Sequence, residues 1–460
     1  MAESQWISAP EAARRLGIKQ ATLYSYVSRG VLTRRRASGG RGAGARAAGG
    51  GVDGAGGGKG SLFDPVEVEE LARRGRPRRP PGLAGLVIES GVTEIADNQL
   101  WFRGLDALGL ARDWDFEDVC GLLWDAGPGP AGPGPAGPQP SDPDRGEWQA
   151  TPAALAAGRA AQAALPPGTF PLERLQVIVP ALAAADPLRL QFDPPAVAAA
   201  GRAIIAGLVD CLPPAAAADQ QTPVRPADQQ VPARAGDQPT AAGIPARLWP
   251  RLCPDDPPPG LLDALRAALV LLADHELAAS TLAARVAASV RADPYAVVAT
   301  GLGAVGGALH GGASLGAETM LAAAQDAAGA PRVVGDLLRR GERVPGFGHF
   351  VYRGGDPRAG LLLAMVRSAV PASPRLAVVD SVLAEMHRRA LPEPNIDFAL
   401  AVLASCAGMI RGAGEVIFAV ARTAGWLAHA LEEYTARTPL RPRAVYTGPA
   451  HRQADPGRRE

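Results

Sequence analysis

The sequence predicts an all-α fold, with a small separate module at the amino end of the chain. Ala, Leu and Val recur at three- and four-residue spacing through 262–273, 280–290, 375–391 and 398–432, which is the period of a buried helix face. The alternation typical of β-strands is rare, and aromatic residues make up only 5% of the chain. With 460 residues, of which 47% are apolar and 20% charged, the protein can bury a large core.

The amino-terminal module, residues 1–80, begins with a predicted pair of helices. Residues 10–18 read as a short helix that a glycine closes, and residues 20–27 read as a second helix. Apolar residues of both helices can share one small core: Leu16, Ile18, Leu23 and Val27. This spacing is typical of helix-turn-helix units, and residues 61–75 predict the helix that closes such a unit.

Charge is concentrated in the same module. Residues 1–80 carry 15 Arg and Lys against 7 Asp and Glu, a net +8, whereas the remainder carries 32 against 39. Three arginines at 34–36 stand where a winged-helix-like module has its wing, and the Gly-rich stretch 38–60 follows them. The charge favours DNA as a partner through residues 6–36, and the alternative is a packing element that binds nothing.

The rest of the chain contains a linker and two long insertions. Residues 76–82 predict the linker, and the Pro- and Gly-rich stretches 127–145 and 212–246 predict surface loops. The four cysteines have neither metal nor CxxC spacing, which indicates reduced side chains. The start has no secretion signal, and the longest apolar candidate, 398–410, is too short to span a bilayer, so we expect a soluble, cytoplasmic protein.

Three motifs carry the candidate chemistry. They are GALHGGAS at 307–314, GFGHFVYRGGDPR at 346–358 and NIDF at 395–398. Together they supply two imidazoles, His310 and His349, a carboxylate, Asp397, and a guanidinium, Arg358. Such a set suits the removal of a proton from carbon, the stabilisation of an enolate and the binding of a charged acid. Taken singly, a histidine before two glycines is more often a loop residue, and an aspartate after asparagine is often part of a helix cap.

These strings resemble the signatures of the citrate synthase family, which read roughly GPLHGGAN, GFGHxVY…DPR and NVDF. Three further blocks fit in the family's order: DHELAASTLAARVAAS (274–289), FAVARTAGWLAHALEE (418–433) and RPRAVYTG (441–448). The match is dense from about 262 to 448 and thinner from 86 to 210. Residues 1–80 lie outside it and resemble MerR-type and excisionase-like modules.

The resemblance implies an architecture and an assembly. It places a large helical domain at 83–311 and 409–460, with a small domain at 312–408 that rotates to close the cleft. It implies no metal. It also implies no cofactor, because acetyl-CoA takes part as a substrate. It also implies a homodimer, since the family's counterpart of Arg441 is supplied by the other subunit.

The resemblance implies a catalytic role for three residues. His310 would donate a hydrogen bond to the thioester carbonyl of acetyl-CoA as it becomes an enol. Asp397 would be the general base that takes a proton from the acetyl methyl group. His349 would polarise and protonate the carbonyl of oxaloacetate.

The resemblance also implies a set of ligand-binding residues. Arg358, Arg422 and Arg441 match the family's carboxylate clamp, in which each guanidinium fork binds a carboxylate through two bonds. His275 matches a further oxaloacetate-binding histidine, and Arg353 aligns with a position that binds CoA phosphate in some members. The family's pattern is not complete, because Ser314, Ala308 and Phe350 replace its usual Asn, Pro and Arg.

The function implied is the condensation of acetyl-CoA with oxaloacetate, through citryl-CoA, to citrate and CoA. One alternative is a 2-methylcitrate synthase that uses propionyl-CoA, because a methylene changes binding by only about 1–3 kcal/mol. Another alternative is a non-catalytic regulator that senses CoA or citrate and binds DNA through residues 6–36.

Overall fold

The chain forms two compact units, Met1–Ile88 and Glu89–Glu460. The computed structural model describes residues 6–16, 23, 27, 32–36, 61–65, 67–68, 88–125, 147–218, 242–436 and 438–442. The predicted insertions 38–60 and 127–145 therefore lie outside the described residues, as does the middle of 212–246. The predicted division of the second unit at 312 and 408 stays a prediction.

The first unit contains a helix and a three-stranded antiparallel sheet. Strand β1 (Ile7–Ser8) leads into helix α1 (Ala9–Leu16), and β2 (Arg34–Arg36) pairs with β3 (Ser61–Phe63) in the order β1-β3-β2. Leu23 is fully buried in the small core beside β3. Most of the predicted second helix, at 20–27, lies outside the described residues.

The second unit is mainly helical, as the apolar spacing predicts. Its helices are α2 (Ala107–Asp113), α3 (Phe116–Trp124), α4 (Pro152–Ala163), α5 (Pro171–Ala184), α6 (Pro194–Cys211), α7 (Ala215–Ala218), α8 (Ile244–Leu252), α9 (Pro259–Leu272), α10 (Ala279–Ser289), α11 (Pro294–Val305), α12 (Gly312–Ala323), α13 (Ala330–Arg339), α14 (Pro357–Ala369), α15 (Pro374–Arg388), α16 (Ile396–Ala407) and α17 (Ala413–Thr435). A small antiparallel sheet precedes them: β4 (Thr93–Ala96), β5 (Gln99–Phe102) and β6 (Leu105–Asp106).

Helix α17 runs through the core of this unit. Nearly all of its 23 residues are buried, and Trp426 is fully enclosed. Gly301 on α11 makes room for that indole, because a Cβ at Gly301 would lie 2.5 Å from the Trp426 ring. A helix that is buried on all sides lies in the interior of a large domain, and the polar side chains of α17 are therefore enclosed with it.

The predicted helical run 398–432 is wrong in one respect, because the structure divides it into α16 and α17. Gly408 and Gly412 have φ of 70° and 85°, a left-handed conformation that ends one helix and begins the next. The carboxylate of Glu318 accepts hydrogen bonds from the backbone of Gly412 at 2.7 Å and Gly414 at 2.8 Å. Glu318 thereby caps α17 from a different helix.

Helix α6 has the length and hydropathy of a membrane-crossing segment, so the prediction that 398–410 is the longest apolar candidate is wrong. Half of its apolar window is buried inside the protein. Core helices pass the same test, so the observation is weak evidence for a membrane span.

Candidate active site

Two histidines, a tyrosine and an arginine form the first part of the site. The ring centroids of His275 and His349 are 5.2 Å apart, and the Tyr352 ring lies 4.7 Å from that of His349. The Tyr352 hydroxyl is 3.0 Å from Nε2 of His275, and the Arg358 guanidinium lies 5.3 Å from the Tyr352 ring. Burial lowers the pKa of His275 well below its usual range, and Arg358 and Arg422 lower it further, so this ring is neutral.

The backbone fixes the tautomer of His349. Nδ1 of this ring accepts hydrogen bonds from the backbone N–H of Val351 at 3.0 Å and of Tyr352 at 3.3 Å. Burial, assisted by Arg358, lowers the pKa of His349 and favours the neutral ring. A neutral imidazole whose Nδ1 accepts must carry its proton on Nε2, so His349 is arranged to donate a hydrogen bond from Nε2.

The loop before His349 is attached to the start of α16. Gly346 and Gly348 both have φ of 81°, and a Cβ at Gly346 would lie 2.8 Å from Cβ of Phe398. The backbone N–H of Asn395 donates to the Gly346 carbonyl, and its side-chain amide donates to the Gly348 carbonyl, both at 2.9 Å. These contacts fix the histidine loop against the helix that carries Asp397.

Asp397 lies in the first turn of α16, where the Asn395 side chain accepts from its backbone N–H at 3.0 Å. The residue is half-buried. Burial raises the pKa of Asp397 to about 6, although Arg358 and Arg422 lower it, while Asp356 adds to the rise. The group is ionised at neutral pH and is a stronger base than an ordinary aspartate.

Arg358 is fully buried and is held by its neighbour Asp356. Nε and Nη2 of Arg358 donate to the two carboxylate oxygens of Asp356 at 3.0 and 2.8 Å. The same carboxylate caps α14 and accepts from the backbone N–H of Ile396 at 3.0 Å. Asp356 thus occupies Nε and Nη2 of Arg358, so a ligand carboxylate would bind through Nη1.

Arg422 supplies a second buried guanidinium from α17. Its Nε donates to the Leu272 carbonyl at 2.8 Å, and its guanidinium lies 4.6 Å from the centre of the Phe418 ring. His310 packs edge-on against the same ring at 5.5 Å. Burial lowers the pKa of Arg422 to about 10, which keeps the charge at neutral pH.

His310 is oriented by a serine. The imidazole Nε2 lies 2.7 Å from Oγ of Ser280 on α10. Burial, with Arg422, lowers the pKa of His310 to about 4, so the ring is neutral at neutral pH. A hydroxyl that donates to Nε2 leaves the ring proton on Nδ1, from which His310 can donate to a developing oxyanion.

Comparison with known proteins shows which family the chain belongs to. A profile described as citrate synthase, C-terminal domain, matches residues 82–443. The chain belongs to the citrate synthase family. Citrate synthase 2 of Bacillus subtilis is 39% identical over 202 residues, which cover 42% of this chain and 53% of that protein. This chain thus spans about half the length of that relative.

Other relatives match over more of their length. The 2-methylcitrate synthase of Mycobacterium tuberculosis is 29% identical over 379 residues, covering 81% of this chain and 91% of that protein. Citrate synthase from Thermotoga maritima has a TM-score of 0.61 at 23% identity, covering 82% of this chain and 98% of its own. The citrate synthase of Thermoplasma acidophilum has a TM-score of 0.64 at 22% identity, covering 81% and 97%, and these two likenesses show the fold.

Two of the residues that family resemblance singled out are not joined to this centre. Arg353 and Arg441 are both exposed, and the contacts of the described residues do not connect either to the buried arginines. Arg353 is predicted to contact CoA phosphate, and Arg441 is predicted to act in the other subunit's site. Both roles involve groups outside a single chain.

Three residues with evident roles were missed by sequence reasoning. Tyr352 and Asp356 lie inside the 346–358 motif, so their position in that motif already indicated that they are near the site. Ser280 lies inside the 274–289 block. Nothing in its local sequence indicates that it contacts a histidine 30 residues away.

Two of the departures from the family's signatures differ in burial. Ser314 is fully buried, and its hydroxyl has no hydrogen-bond partner among the described residues. It faces Gly414, where a Cβ would overlap it. Phe350 is fully exposed beside His349, so its side chain makes no part of the buried centre.

Proposed function

We propose that the protein condenses acetyl-CoA with oxaloacetate to form citrate and CoA. The observation that carries the proposal is a single centre containing a carboxylate of pKa about 6, neutral imidazoles and two buried guanidiniums. The structure of the Thermoplasma acidophilum relative is a ternary complex with carboxymethyl coenzyme A and oxaloacetate, which supports the same pair of ligands here.

In the proposed reaction, Asp397 takes a proton from the methyl group of acetyl-CoA. His310 donates a hydrogen bond to the thioester oxygen, so that an enol forms without a full negative charge. The enol carbon then attacks the keto carbon of oxaloacetate, whose oxygen takes the Nε2 proton of His349. The proton held by Asp397 returns to His349 through solvent, so both groups are restored. Water hydrolyses the resulting citryl-CoA thioester, releasing citrate and CoA.

The arginines would bind the acid. Arg358 and Arg422 offer guanidinium nitrogens to the carboxylates of oxaloacetate, with His275 beside them, and Arg353 would contact CoA phosphate. We propose that Arg441 completes the site of a second copy in a homodimer. Mixing the Arg441→Ala and Asp397→Asn variants should then restore activity in a hybrid site that carries neither change, and no recovery in exchanging subunits would contradict this.

A second candidate is the use of propionyl-CoA, which would give 2-methylcitrate. The observation in its favour is the Mycobacterium tuberculosis relative, which matches over 81% of this chain. The two acyl groups differ by one methylene, worth about 1–3 kcal/mol in a shaped pocket. The alternative of a non-catalytic regulator is disfavoured, because a protein that only senses CoA or citrate does not need a general base.

A thiol-release assay tests the proposal. The full chain is mixed with oxaloacetate and either acetyl-CoA or propionyl-CoA, and the product acid is identified by mass. We expect release that requires oxaloacetate and is faster with acetyl-CoA, and none with Asp397→Asn. Faster release with propionyl-CoA would favour the second candidate, and no release with either thioester would overturn both.

We further propose that residues 6–36 bind duplex DNA. The supporting observation is that Arg34 and Arg35 are exposed on β2, with the Arg35 guanidinium 5.1 Å from the Trp6 ring. Binding through phosphates should weaken steeply with salt. Deleting residues 1–80 should abolish DNA retention on a gel and leave thiol release unchanged. Loss of solubility or activity on deletion would instead show that the module packs against the enzyme.

A further inference from the structure

A buried carboxylate lies directly before one of the proposed substrate-binding histidines. Asp274 has no exposure to solvent, and its Oδ2 accepts a hydrogen bond from the backbone N–H of Glu276 at 3.1 Å. Glu276 has φ of 54°, a conformation that side-chain-bearing residues adopt rarely. The Asp274 carboxylate therefore stabilises a tight turn, and this turn directs His275 towards His349 and Tyr352.

The same oxygen of Asp274 meets a second buried histidine. Nε2 of His429 on α17 lies 3.3 Å from Oδ2, and His429 is also fully enclosed. Its other nitrogen, Nδ1, lies 2.8 Å from Nη1 of Arg285. A guanidinium can only donate, so Nδ1 must accept, and the neutral ring carries its proton on Nε2, facing Asp274.

Arg285 is itself held in place at the far end of this chain of contacts. Its guanidinium is almost fully buried and bonds to Glu433 and to Glu432, each at 2.7 Å. Glu432 also accepts from the backbone of Gly91 at 2.7 Å. The orientation of His429 is thus determined from both sides of its ring.

Three residues on one face of α17 bond to the segment 272–276. Arg422 donates to the Leu272 carbonyl at 2.8 Å, and Gly425 donates through its backbone to the Ala273 carbonyl at 2.9 Å. His429 bonds to Asp274 in the next turn. Their spacing of three and four residues places all three on one helix face. A Cβ at Gly425 would overlap Asp274 and Ala273, so the close approach requires glycine.

We propose that His429 is a positioning residue for substrate binding: by donating to Asp274, it holds segment 272–276 so that His275 and Arg422 face the same acid. This inference rests on the proposed function, because it assigns oxaloacetate to those two side chains. His429 touches no substrate itself and acts only through Asp274. Its effect should therefore appear in the affinity for oxaloacetate.

Two substitutions separate the two contacts of His429. In His429→Gln the amide nitrogen replaces Nε2 and can still donate to Asp274, whereas in His429→Asn the amide oxygen replaces Nδ1 and can still accept from Arg285. Burial lowers the pKa of His429, but Asp274 and Glu432 offset this and raise it. All variants are therefore compared in one buffer at the same pH.

The measurement is the Kd of oxaloacetate by calorimetry on the full chain, with unfolding midpoints of every variant. We expect His429→Gln to bind within about threefold of wild type and His429→Asn to bind about 10- to 100-fold more weakly, because a small misplacement of a binding group is costly. The exposed His387 offers a matched control, and His387→Asn should bind like wild type. Equal affinity of the Gln and Asn variants would overturn the inference.

A double-mutant cycle gives an independent test that does not use the His429→Asn variant. If His429 acts through Asp274, then Asp274→Asn and His429→Ala should each weaken binding, and the double variant should bind no more weakly than Asp274→Asn alone. Additive losses would overturn the inference. A wild type that binds oxaloacetate without releasing thiol would overturn the proposed function, and the comparison of Kd values would still decide the role of His429.

Discussion

Replacing Asp397 with asparagine tests the proposed base through both activity and stability. Asparagine has the shape of the protonated acid but cannot take a proton, so condensation should be lost while oxaloacetate still binds. The pKa of Asp397 rises from 3.8 to about 6 in the folded protein. The folded state therefore binds this proton more tightly than the unfolded chain does, and the wild type loses stability as pH rises through that window.

The magnitude follows from the size of the shift. About two pKa units, at about 1.4 kcal/mol each, make the ionised Asp397 unfavourable by about 3 kcal/mol above the window. Asparagine carries no charge, so the variant should be more stable than wild type by up to about 3 kcal/mol at about pH 8 and by about half as much at about pH 5. Removing a buried catalytic charge commonly stabilises an enzyme in this way.

The assay is urea unfolding of both proteins at the two pH values, followed by tryptophan fluorescence, with thiol release measured in parallel. Wild-type turnover should also fall below about pH 6, as the base becomes protonated. Turnover of the variant near the wild-type rate would refute the assignment of the base. A stability difference that is independent of pH would refute the raised pKa.

Three further changes test other parts of the account. Ser280→Ala should lower kcat about tenfold or more with little change in oxaloacetate affinity, because His310 loses its orientation, and a change in affinity alone would contradict this. Arg358→Lys should raise the KM of oxaloacetate by about tenfold or more, since an ammonium cannot bond both oxygens of Asp356 and still donate to the acid, and an unchanged KM in steady-state kinetics would contradict this. Gly301→Ala should destabilise the fold by about 1–3 kcal/mol, because the added methyl group meets the Trp426 ring, and an unchanged unfolding midpoint would disprove that contact.

The helices were largely predictable because their apolar residues recur with the helical period, and α9, α10 and α15 begin and end within a few residues of the predicted runs. The division between α16 and α17 was missed because Met409 and Ile410 continue the apolar pattern between Gly408 and Gly412. The helix breaks because both glycines adopt a positive φ, and the spacing of apolar residues carries no information about φ.

The candidate site was predictable in its residue types but less so in its contacts. The motifs placed the two histidines and Asp397 in the family's order, since each lies in a short, recognisable string. The contacts of Ser280 with His310 and of His429 with Asp274 join residues that are 30 and 155 positions apart. Such pairs arise from tertiary packing, and no local pattern in one sequence reveals them.

A crystal structure with oxaloacetate and carboxymethyl-CoA bound would test the central claim most directly. The account predicts oxaloacetate with its carboxylates on Arg358 and Arg422 and its keto oxygen within hydrogen-bonding distance of Nε2 of His349. It also predicts the end of the acyl analogue between His310 and Asp397. Oxaloacetate bound away from the two buried arginines, or an analogue that contacts neither His310 nor Asp397, would contradict it.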